Sequence, residues 1–209
     1  MNSRLVIPGE LVTEKRMKLG PHVFVEKGKI YSDTLGLVKM ERGVVRVVPL
    51  QGKYMPKAND VVVGIVVAEE YSFYIIDINS FYYSFLPKEE IKLPLKKGSI
   101  VSAKIARVNE INEVSLSNIR VLHGGEIIPI APTRVPRVIG KNASMLKLLQ
   151  HGTKCAIIVG MNGWVWAKGR EENIRLLKKA LQKIERESHL SNLTLKIQKM
   201  LSGKEADKV

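Results

Sequence analysis

The chain is poor in the residues that build covalent or metal chemistry. A single cysteine among 209 residues excludes an internal disulfide framework and a cysteine-rich zinc site. Cys155 sits in the apolar run Cys155 to Val159 and is expected to be a small core residue. The four histidines, His22, His123, His151 and His189, are scattered, and none stands at metal-ligand spacing with another ligand. No apolar run approaches the roughly 20 residues that span a bilayer; the longest, Val61 to Ala68, has Gly64 inside it. The opening MNSRLVIPGELVTEKR lacks the apolar core of a signal peptide. A cytoplasmic protein with no membrane partner is expected. A nucleophile beside a base, paired carboxylates and a G-x-x-x-x-G-K-[ST] phosphate loop are also missing, so neither an enzyme nor a cofactor is expected.

What is plentiful is positive charge. Lys and Arg number 34 against 20 Asp and Glu, a formal charge of +14, which favours a polyanionic partner through counterion release. Nucleic acid comes first and an anionic membrane second. The membrane reading fails for want of a basic amphipathic helix with exposed Trp or Phe. The charge is uneven: residues 124–209 hold 16 Lys and Arg against 7 Asp and Glu, residues 58–123 hold 7 against 8, and residues 1–57 hold 11 against 5.

Patterning divides the chain into the same three regions. Residues 1–57 read as a small N-terminal β domain, with β-branched alternation flanking turns at Lys27-Gly28 and Arg42-Gly43. Residues 58–123 carry five short strands separated by turn signals, the pattern of a Greek-key barrel of the OB type. Such barrels stack bases on exposed aromatics beside cations. Tyr71, Phe73, Tyr74, Phe81, Tyr82, Tyr83 and Phe85 are the aromatic candidates, and period two cannot turn all of them inward. Phe73 and Tyr74, with Lys104 and Arg107, are the RNA-binding candidates of this region. The cluster as a whole reads equally as base platform or barrel core.

In residues 124–209, Gly124-Gly125 signals a hinge. Pro132 and Pro136 bracket an arm that is expected to be extended, because the residue before a proline disfavours helix. Val138 and Ile139 then meet Gly140, Lys141, Asn142 and Ala143, and Met145, Leu148 and Leu149 begin a helical period. A helix start offers unpaired N–H groups to a phosphate, and Lys141, Arg134 and Arg137 surround it with cations. A strand over Thr153 to Val159 leads to Gly160, Met161, Asn162 and Gly163, first of all a hairpin turn, and then to a strand Trp164 to Ala167. An amphipathic helix is predicted for Arg170 to Ser188, and Ser191 is a candidate N-cap for a last helix.

The spacing I-G-K-x-x-S-M-x-K-x-L resembles a KH domain, whose G-x-x-G loop clamps single-stranded nucleic acid; Ala143 stands where the second glycine belongs. The pattern V-x-G-x-V, D-I, Leu-Pro, K-x-G-S-x-V-x-A-K-I and L-S resembles the OB domain named after ribosomal protein S-one. VIPGEL, VRVVPLQGKY, VPRVIGKN, VGMNGWVW with its G-x-N-G turn, IERESH and L-T-L-K-I together resemble the archaeal exosome cap subunit of the Rrp-four type over nearly the whole chain. That resemblance implies a non-catalytic subunit whose β domain docks on a hexameric ring of RNase PH-like subunits, three caps to a ring, feeding single-stranded RNA to 3′ to 5′ phosphorolysis. It adds Gly140, Asn142, Gly160, Asn162 and Gly163 to the RNA-binding candidates. The alternative is a free-standing RNA-binding transcription or translation factor, though such factors usually carry two KH units after the barrel.

Overall fold

The computed structural model describes residues 4–49, 53–91, 94–110, 113–187 and 192–202. Ser191, the expected N-cap, lies outside them. The chain divides into two compact units, Met1–Gly52 and Lys53–Val209.

The first unit contains β1 (Leu5–Val6), β2 (Leu11–Thr13), β3 (Lys18–Leu19), β4 (Val23–Glu26), β5 (Lys29–Ser32), β6 (Gly36–Glu41) and β7 (Val44–Pro49). They form a four-stranded sheet, β1-β6-β7-β3, and a three-stranded sheet, β2-β5-β4. Both expected hairpins form: β4 turns into β5 through Lys27 and Gly28, and β6 into β7 through Arg42 and Gly43. Val6, Val12, Ile30, Val38, Val45 and Val47 are the core. β-branched residues suit such a pleated, half-buried surface.

The second unit opens with β8 (Val61–Glu69), β9 (Phe73–Asp77), β10 (Ser84–Pro87), β11 (Ile100–Val108) and β12 (Val114–Leu122), which close into a barrel in the order β10-β12-β11-β8-β9. Closure removes both sheet edges. Val62, Val66, Ile76, Leu86, Val101, Ile105 and Leu116 fill the interior. Tyr54 is buried against the same core, and its hydroxyl donates to Asp60 at 2.5 Å. Burial, helped by that carboxylate, pushes the Tyr54 hydroxyl far above its usual range and keeps it protonated.

The KH region follows as β13 (Glu126–Pro129), α1 (Val135–Ile139), α2 (Ser144–Thr153), β14 (Ala156–Val159), β15 (Trp164–Lys168), α3 (Glu171–Glu187) and α4 (Leu193–Leu201). The sheet order is β13-β15-β14, antiparallel throughout. The helices share one core with it, in which Leu149, Leu177, Ala180, Leu181, Ile184 and Ile197 are almost wholly buried and Cys155 nearly so. Each large aliphatic side chain so buried contributes roughly 1.5–3 kcal/mol. The fold is therefore a β domain, a five-stranded barrel and a KH domain with helices on a small sheet.

Two expectations fail here. The segment between Pro132 and Ile139 is not an extended arm: Pro132–Arg134 is a 3-10 turn and α1 follows at once, with Val135 at φ −50°, ψ −45° directly before Pro136. Proline is tolerated in a helix's first turn, where its missing N–H has no partner to lose, and complete burial of Val135 offsets the pre-proline restriction. Nor is Gly124-Gly125 a free hinge. Trp166 Nε1 donates to the Gly124 carbonyl at 2.8 Å, Lys168 Nζ donates to the His123 carbonyl at 2.9 Å, and a Cβ on Gly125 would strike the Ala167 carbonyl. The corner is tied to β15.

Candidate nucleic-acid interface

Three features of the second unit bear on a polyanion, and they begin with strand parity. Along β9, Asp77 is exposed, which turns Ile75 and Phe73 outward and Tyr74 and Ile76 into the barrel. Phe73 meets Phe85 of β10 edge to face, with ring centroids 5.4 Å apart. Phe85 pairs in register with Ser115 of β12, and Ser115 with Arg107 of β11. The result is a groove on the outer barrel wall lined by Phe73, Phe85, Arg107, Asn109 and Ser115, together with the carboxylates of Glu89 and Glu113. Two half-exposed rings beside an exposed guanidinium can stack bases and hold a phosphate. Glu113, also at the groove, is occupied: its carboxylate accepts from Asn109 Nδ2 at 2.7 Å and its N–H donates to Asn109 Oδ1 at 2.7 Å.

Two sequence candidates in the barrel are displaced from this groove. Tyr74 is only 3% exposed, and its hydroxyl accepts the Leu95 N–H at 3.1 Å, so it is a core residue and not a base platform. Lys104 pairs with Ser117 and Val61 and does not line the groove. Ser115 is not among the sequence candidates, and Phe85 is there only as one of seven barrel aromatics. The exposed Asp77 was the signal that would have fixed the parity and singled out Phe73 over Tyr74.

The second feature is the α1–α2 connection. Gly140 takes φ +73°, and a Cβ there would lie 2.8 Å from the Met145 nitrogen, so only glycine lets α1 end this close to α2. Asn142 and Ala143 are also left-handed, at φ +52° and +59°. Lys141 and Asn142 are exposed, Arg137 is exposed on α1, and Arg134 is half-buried beside it. Among the described residues, none of Arg134, Arg137 and Lys141 has a carboxylate partner. The motif thus joins helix to helix, not strand to helix, and its cations are unengaged.

The third feature corrects the sequence reading. Gly160, Asn162 and Gly163 do not face a ligand. Asn162 is completely buried; its Oδ1 accepts the Val63 N–H at 3.2 Å, and its Nδ2 donates to the carbonyls of Val63 at 2.7 Å and Ile78 at 2.9 Å. The neighbouring Met161 N–H donates to the Val61 carbonyl at 2.8 Å. The geometry has a cause. β8 pairs with β9 only from Ile65 onward, so the main chain at Val63 is left open on that side. The Asn162 amide enters the notch and bonds as a missing strand would. A Cβ on Gly160 would strike the Asn162 amide and approach Val63, while Gly163 needs φ +82° against the Ile130 carbonyl. This turn is a joint between barrel and KH domain.

Comparison with known proteins matches two stretches of the chain to family models. Residues 3–51 match the family described as "Exosome RNA binding protein RRP4 N-terminal domain", and residues 125–173 match the KH domain family. The chain is 38% identical to the exosome complex component Rrp4 of Methanothermus fervidus, covering 94% of each chain. Against the protein of that name from Methanobrevibacter smithii it is 39% identical, covering 96% of this chain and 72% of the other. The chain belongs to the Rrp4 family. A crystal structure of an exosome complex RNA-binding protein is similar as well, with TM-score 0.66 and 29% identity over 73% of this chain and 97% of that one. The barrel falls between the two family matches, and the relatives align across it. Among the described residues, no helix is long and apolar enough to cross a membrane.

Proposed function

We propose that this chain is a non-catalytic, RNA-binding cap of an exosome: three copies dock through the N-terminal β domain on a hexameric RNase PH-like ring, recruit single-stranded RNA and feed it to 3′ to 5′ degradation and processing. Membership in a family whose relatives are named exosome complex components supports the assignment. The observation that carries it is the barrel groove, where Phe73 and Phe85 lie beside Arg107. The loop Gly140–Ala143, with Arg134, Arg137 and Lys141, provides a second grip on phosphates. Magnitudes suit a cap. Each stacked base is worth roughly 1–3 kcal/mol, and non-specific phosphate binding is only about 10⁻⁴ to 10⁻⁶ M. Copies sharing one ring hold a strand by avidity that no single copy needs to supply.

Native mass spectrometry of the protein mixed with its source organism's RNase PH-like ring tests the reading, followed by phosphate-dependent decay of single-stranded RNA. Three copies per ring and more processive decay are expected. Absence of association would leave a free-standing RNA-binding factor as the better account.

A further inference from the structure

Of the exposed barrel aromatics that do not line the groove, Tyr71 stands alone in the β8–β9 turn, while two others share one connection. Phe81 and Tyr83 are 67% and 70% exposed, in the connection between β9 and β10. Burial alternates along this stretch: Phe81, Tyr83 and Phe85 lie outward or half-outward, while Tyr82, Ser84 and Leu86 turn to the core. The outward set therefore leads from the connection straight into Phe85 of the groove. Tyr83 is fixed at the groove's rim, since its carbonyl accepts the N–H of Val114 at 3.3 Å, next to the lining residue Ser115.

The connection is held at several points. Asn79 N–H donates to Asp77 Oδ1 at 2.8 Å, Tyr82 N–H to Ser80 Oγ at 3.3 Å, and Ser80 forms a bridge with Tyr54. Its second residue reaches the KH joint, where Asn79 Nδ2 donates to the Asn162 carbonyl at 3.1 Å. Lys53 Nζ stands 4.8 Å from the Phe81 ring centroid. Exposing two large rings on an anchored loop costs apolar hydration. A cation on one ring and aromatics at every second position leading to the groove are the features that suit a base with its phosphate.

We infer that Phe81 and Tyr83, with Lys53, form a second base-stacking platform that extends the barrel groove toward the KH joint, so that a longer single-stranded RNA is held over both. This rests on the RNA-binding reading above. A protein partner that used the same rings would need their apolar area and not their π faces.

The test measures binding of single-stranded RNA of about 4 and about 12 nucleotides, spanning the range of an OB fold. The full chain is compared with Phe81→Ala/Tyr83→Ala, Phe81→Leu/Tyr83→Leu and Arg107→Ala. The alanine pair is expected to bind the short RNA as the parent does and to lose on the order of tenfold or more on the long one. The leucine pair should lose nearly as much, because it keeps apolar area without a π face. Full binding of the long RNA by the leucine pair would overturn stacking in favour of an apolar, protein-type surface. Unchanged binding by both pairs, or equal loss on short and long RNA, would overturn the extension while loss in Arg107→Ala keeps the groove. If Arg107→Ala also binds normally, the groove reading itself fails.

Discussion

Two turns of the KH region look alike in sequence and do opposite things. Gly140-Lys141-Asn142-Ala143 and Gly160-Met161-Asn162-Gly163 each place an asparagine two residues after a glycine. In the first, Asn142 is exposed in a left-handed conformation amid unengaged cations. In the second, Asn162 is buried and three of its amide's four bonding positions are filled by the barrel main chain. The difference lies in what stands opposite each turn. Solvent faces the first, while the open flank of β8 faces the second. Small residues in a turn permit a close approach, and only the tertiary surroundings decide whether the approaching body is a ligand or another domain.

Substitutions at the two turns test that contrast. The largest effect is expected at the joint: Asn162→Ala leaves the Val63 N–H and the Val63 and Ile78 carbonyls without partners, at roughly 1–3 kcal/mol for each unsatisfied group. A loss of about 4 kcal/mol, in the range reserved for buried networks, should appear in denaturant midpoints, with barrel and KH domain melting separately. A change under about 0.5 kcal/mol would deny the joint its role. At the exposed turn, Arg137→Glu with Lys141→Glu should keep stability within about 0.5 kcal/mol and weaken single-stranded RNA on the order of tenfold at low salt, with a shallower salt slope. Unchanged RNA affinity would remove this loop from the mechanism. The smallest effect is expected for Ala143→Gly. A left-handed alanine costs roughly 1–2 kcal/mol, partly offset by the entropy glycine adds to the unfolded chain. A net gain of about 0.5 kcal/mol in thermal or chemical unfolding is the expected result, and a loss would show that the alanine side chain packs favourably.

Much of the architecture was legible because it rests on local rules. The five barrel strands follow from period-two alternation and their turn residues, and α3 from Ile174, Leu177, Leu181 and Ile184 at helical spacing. The two N-terminal hairpins follow from Lys27-Gly28 and Arg42-Gly43. Misreadings occurred where a local preference met a stronger non-local term. Pro136 argued for an extended Val135, yet burying that valine under the KH helices outweighed the preference. Tyr74 and Phe73 are equivalent in composition and differ only in the face of β9 they occupy. Asn162 was beyond reach of any local rule, since its partner Val63 is 99 residues away in the chain.

Asn162 addresses Val63 and Ile78 through their peptide groups alone. The specification is therefore one-sided. Barrel side chains at these positions can drift or be redesigned without erasing the bonds the asparagine needs, provided the strands keep their spacing. The hairpin behaves as a plug whose socket is generic β structure, and a KH domain carrying it is a candidate for transplantation onto another five-stranded barrel.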